Sequence, residues 1–156
     1  MSLQTIAWIA AAVSAFFSAV SAAANWYNAN TFRRQLKNTT IDACVSAAAA
    51  LKAAVYKTIE LKANKIDKIT DVQIWGAYDD AWAKWVALFQ TFQVARRYKN
   101  MFMADAPDQA SALLSELRGN LRDPNWIPGG AKDPRDSRAK MDAIVVAIEQ
   151  SAGLAS

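Results

Sequence analysis

No charged side chain appears in this chain before Arg33. A neutral stretch of that length belongs in lipid, in a signal sequence or in a protein interior, and each choice dictates a different molecule. Residues 6–24 form a 19-residue run of Ala, Ser, Ile, Val, Phe and Trp. A helix needs roughly 20 mostly apolar residues to cross a bilayer. Trp8 stands near one end of the run, and Trp26 and Tyr27 near the other. At a rise of about 1.5 Å per residue, Trp8 and Trp26 lie about 27 Å apart, close to the hydrocarbon thickness, and such rings favour the two interfaces. Arg33, Arg34 and Lys37 follow on one side only. The positive-inside rule places that side in the cytoplasm and the N-terminus outside. The expectation is a membrane anchor helix over residues 1–32, single-pass, in a bacterial inner membrane.

Three other readings compete, one of them being weak insertion, because nine alanines and three serines make the run less oily than a leucine-rich span. A cleavable signal peptide is also apolar, and residues 22–24 mimic a cleavage site, but no basic residue precedes the run. A water-soluble amphipathic helix would account for Ile6, Ile9, Val13, Phe16 and Val20, spaced alternately by three and four. Its opposite face should then be charged, and it holds alanine and serine. Small residues recur every four positions between 11 and 23, a face that lets two membrane helices approach. Membrane lipid, and another membrane protein or a second copy of this chain, are the partners this implies.

Behind the anchor, residues 33–156 read as a helical head, so the fold class is all-α: one transmembrane helix followed by an antiparallel bundle of three to four helices. Ile41, Val45, Ala48, Leu51, Val55 and Ile59 keep helical spacing through an alanine-rich segment. That helix, residues 39–65, either continues the anchor or starts afresh at Asn38. A second helix, residues 72–103, begins after Asp71. It carries aromatic rings at every third or fourth position: Trp75, Tyr78, Trp82, Trp85, Phe89 and Phe92. These large rings suit the volume-poor alanine helix as a packing partner. Yet indole N–H and phenol O–H groups require hydrogen-bond partners that alanine does not offer. The ladder is therefore either bundle core or a surface for a partner or ligand.

Folded antiparallel, the second helix returns toward the anchor with Arg96, Arg97 and Lys99, beside Arg33, Arg34 and Lys37. Two basic clusters at one end fit contact with anionic headgroups, each cation contributing about 1 kcal/mol. They equally fit cations near a helix C-terminus. A third helix starts at Asp105 with Pro107 early and ends at Gly119-Asn120. Residues 121–137 form an irregular Pro/Gly-containing loop with Trp126 and Ile127 inside it, either a binding tip or a segment pinned to the core. Asp133-Pro134 opens a fourth helix, which Gly153 ends.

The residues exclude much chemistry. There is no histidine and a single cysteine, Cys44. No internal disulfide and no Cys/His metal site is open to the chain. Asp79 and Asp80 are adjacent on a helix and point about 100° apart, so they do not converge as an acid–base pair. No phosphate loop, dinucleotide fingerprint or calcium loop is present. A net charge of +4 without a recognition module gives no case for nucleic acid. The expectation is no catalysis, no metal and no cofactor. The plan resembles that of small bacterial proteins with one N-terminal span and a helical cytoplasmic head, a likeness of architecture that carries no function. The leading functional reading is an accessory, scaffold or assembly subunit acting by protein–protein and headgroup contacts. The alternative is a soluble or exported bundle that holds an apolar ligand along the stripe from Trp75 to Phe92.

Overall fold

The computed structural model describes residues 3–64, 71–95, 105–123, 126 and 133–152, with side chains from Val13 onward and that of Trp8. Four helices account for them: α1 (Leu3–Ala63), α2 (Asp71–Ala95), α3 (Ala106–Arg122) and α4 (Pro134–Ser151). The chain divides into two compact units, residues 1–38 and 39–156, although α1 runs through both. Its continuity has a local cause: neither Gly nor Pro occurs before Gly76, and alanine is the strongest helix former.

The N-terminal unit corrects the membrane reading. Among the described residues, no helix is long and apolar enough to cross a membrane. The run owes its neutrality to nine alanines and three serines, which gain little from leaving water, and Asn25, Asn28 and Asn30 follow within six residues. The anchor over residues 1–32, the single-pass topology and the inner-membrane location therefore fall. The interface assigned to Trp8, Trp26, Tyr27, Arg33, Arg34 and Lys37 rested on that span and loses its basis. All six side chains are exposed. Arg96, Arg97 and Lys99 lie outside the described residues.

Residues 39–156 form the expected antiparallel bundle. Cys44, near the start of this part of α1, neighbours Thr91, near the end of α2, so those helices run in opposite directions. Tyr78 meets Leu114 and Trp85 meets Pro107, which sets α2 against α3 in the same sense. Lys140 of α4 bonds Glu116 of α3 at 2.6 Å, and α4 returns beside α1 through Asp142. This is the up-down-up-down bundle, in which each helix buries one stripe. Leu51, Val55 and Ile59 of α1, Leu88 of α2, Leu114 and Leu117 of α3, and Met141 and Ile148 of α4 share one core.

Helix α2 packs on leucine-rich α3 as well as on α1: Tyr78 and Trp85 bond to α3, while Thr91 neighbours Cys44 and Phe92 shares one core with Ala48 and Ala54. In the alanine-rich segment of α1, Ala48 and Ala54 are buried while Ala49, Ala50 and Ala53 face water. Helix α3 also runs past Gly119-Asn120 to Arg122. The reason is that Leu121 extends the buried series of Leu114 and Leu117, and its burial outweighs the roughly 1 kcal/mol that a helical glycine costs. Asp133 caps α4 as read, its carboxylate accepting from the Arg135 N–H at 2.8 Å. At the end of α1, Lys62 donates to the Leu121 carbonyl at 2.9 Å and supplies a cation to the last turn of α3.

One polar node ties α1 to α4. The Lys52 ammonium lies 2.6 Å from Asp142 Oδ1, and the Tyr56 hydroxyl donates to Oδ2 at 2.6 Å. Lys52, then Tyr56, holds the Asp142 carboxyl below its ordinary value. A depressed carboxylate stabilises the fold above its unfolded pKa, near 4, and that contribution is lost as pH falls through the lower folded value. The expected result is a decline in urea midpoint between about pH 5 and about pH 3 that is visibly shallower in Asp142→Asn than in the wild type. Identical slopes in the two proteins would show that this node carries no part of the acid response.

Candidate functional site

The six aromatic residues of α2 do not share one fate. Tyr78 and Phe92 are buried, Trp75 and Trp85 are half-buried, and Trp82 and Phe89 are exposed at 38% and 36%. Helical geometry explains the split. At about 100° per residue, the rings centre some 80–90° away from the direction of Ile74, Ala77, Ala81, Leu88 and Ala95, which point to the core. The small residues of α2 face inward and the rings occupy its shoulder, toward α3. The ladder is core on one edge and surface on the other.

The polar atoms of the rings follow the same division. The Tyr78 hydroxyl donates to the Leu114 carbonyl at 3.2 Å, and Trp85 Nε1 donates to the Pro107 carbonyl at 2.9 Å. Burial pushes the Tyr78 phenol above its usual pKa, with Arg118 opposing and Asp79 adding to the rise. Trp85 stacks on Phe89 with centroids 5.5 Å apart, and Trp82 lies 4.9 Å from Trp85 at 34°. Trp75 stands edge-on to Tyr78 at 5.8 Å and 82°. The Arg122 guanidinium sits 5.9 Å from the Trp75 ring. Among the described residues, neither Trp75 nor Trp82 gives its indole N–H to a protein acceptor.

Between α2 and α3 these residues line a groove of about 380 Å³: Trp75, Tyr78, Asp79 and Trp82 from one helix, Ser115 and Arg118 from the other. That volume lies within the range of small-molecule sites. Asp79 and Arg118 are both exposed, and among the described residues neither is engaged in an ion pair. The Ser115 hydroxyl donates to the Ser111 carbonyl at 3.0 Å, which leaves its oxygen as an acceptor. A larger groove of about 550 Å³ lies between α3 and α4, floored by Leu113 and Ile144 with alanines around them. Its charges, Glu116 and Lys140, are spent on each other at 2.6 Å. Gln109, which also lines it, gives an amide N–H to Asp105 at 2.9 Å, so this groove offers apolar area with no uncompensated charge, and the α2–α3 groove is the stronger site.

The other candidates fall elsewhere. Trp126 is 1% exposed and belongs to the core, so it is a pin and not a binding tip. Ile127 lies outside the described residues. Cys44 is fully buried, and that burial pushes its thiol up, away from nucleophilic reactivity. Among the described residues, no three Cys, Asp or Glu side chains gather as metal ligands. Sequence reading found the rings but missed Ser115 and Arg118. Their approach to Trp75 and Trp82 depends on the register of α3 against α2, for which the sequence carries no local signal. Compared with known proteins, this chain matches no protein-family model, no curated protein and no solved structure.

Proposed function

We propose that the bundle of residues 39–156 is a binding module for a small ligand with a flat apolar body, held in the α2–α3 groove on the upper part of the aromatic stripe. The observation that carries this is Trp82. A large ring left 38% exposed, with Trp75 beside it and neither indole N–H bonded to protein, forfeits burial that the fold could have used. A ligand sandwiched there recovers that apolar contact. The lower part of the stripe is committed to the protein itself through the Trp85–Pro107 hydrogen bond and the Trp85–Phe89 stack.

The test is a titration of the full chain with the neutral fluorescent probe N-phenyl-1-naphthylamine. One equivalent is expected to bind with enhanced emission. Trp82→Ala is expected to weaken it at least about tenfold, the value of roughly 1.5 kcal/mol of lost aromatic contact. Phe16→Ala serves as the control, because Phe16 is an exposed ring of the other unit. Binding that survives Trp82→Ala, or that Phe16→Ala removes, overturns the proposal.

A further inference from the structure

The polar half of the groove points to the class of ligand. Its lining carries one cation, Arg118, and one anion, Asp79, on opposite helices. Neither is spent on the other or on a neighbour among the described residues. An apolar ligand would cover both charges and compensate neither, and a simple anion or cation would satisfy one and be repelled by the other. The remaining groups sort in the same way. Arg118 and the two indole N–H groups offer donors only. Asp79 offers acceptors, and so does Ser115, whose hydrogen is engaged with Ser111. The Tyr78 hydroxyl gives its hydrogen to the Leu114 carbonyl, so it too has only an acceptor left.

Resting on the reading of the groove as a ligand site, we infer that its ligand is amphoteric: an aromatic or flat apolar body carrying both an anionic group and an ammonium or other charged donor, as an aromatic amino acid does. The anionic group meets Arg118 and the donor meets Asp79 with Ser115, while Trp75 and Trp82 take the ring. Electrostatic complementarity of this kind sets which ligand is accepted more than how tightly it is held. The chemistry of the site is recognition, with no bond made or broken.

The experiment compares three probes on the full chain by calorimetry: phenylalanine, phenethylamine, which lacks the carboxylate, and 3-phenylpropionate, which lacks the ammonium. Phenylalanine is expected to bind about fivefold tighter than either, the scale of one exposed ion pair. Arg118→Gln should erase its advantage over phenethylamine and keep that over 3-phenylpropionate. Asp79→Asn should do the reverse. Both residues are exposed, so both variants are expected to keep wild-type helicity, checked by circular dichroism. If phenylalanine shows no advantage while the neutral probe still binds and still depends on Trp82, the amphoteric assignment is wrong and the apolar site stands. An advantage that neither substitution alters also overturns the assignment. Failure of every probe, the neutral one included, removes both.

Discussion

Replacing Trp126, the largest of the fully buried side chains, with alanine is expected to cost about 4 kcal/mol. Trp126 comes from the segment between α3 and α4, yet it is 1% exposed and sits among core side chains. Its backbone N–H is held by the Asp123 carbonyl at 3.3 Å, just beyond the C-terminus of α3. Removing the ring would leave a cavity the size of an indole where the chain leaves α3, and the surrounding leucines can collapse only partly. In a unit of this size such a loss lowers the melting temperature by about 15 °C. Trp126→Phe, which keeps most of the ring volume, should recover more than half of the loss. Thermal and urea melts of the two variants check both statements. A decrease under about 1 kcal/mol for the alanine variant would show that Trp126 is a surface tip after all.

Leu51→Ala is expected to cost about 3 kcal/mol. Leu51 is fully buried in the same core, on the part of α1 that enters the bundle. Its natural comparison is Phe16→Ala, on the same helix. Phe16 is larger and more apolar in area, but it is 67% exposed, so its removal should change the stability of the bundle by no more than about 0.5 kcal/mol. The pair separates what burial does from what hydrophobicity does. Equal losses from the two substitutions would mean that residues 1–38 are buried against something when the protein folds in solution, and analytical ultracentrifugation would then report an assembly.

Much of the bundle was legible in the sequence because helices announce themselves locally. Apolar residues every three or four positions, Asp133 before Pro134 and the early Pro107 place α3 and α4 within a few residues of where they are found. The same local signals misjudged two points. Glycine at 119 and asparagine at 120 favour an ending, but Leu121 is buried and carries the helix onward. The aromatic ladder has a clear period, but a period states only that the rings share a side of α2. The core-facing side of α2 was carried by Ala77, Ala81 and Leu88, quieter in the sequence than six rings.

By itself, then, the sequence determined that this chain is helical, where most of its bundle helices begin, and that histidine-based chemistry is closed to it. Only the tertiary structure decided which apolar residues are buried. Val13, Phe16 and Val20 follow the same alternation of three and four as Cys44, Ala48, Leu51 and Val55 on one unbroken helix, yet the first three are 49–67% exposed and the others are buried. Periodicity sets the side of a helix on which a residue lies. Burial requires a second surface to close on that side, and for the stripe of α1 that closes and for the groove beside Trp82 alike, that surface comes from helices distant in the chain.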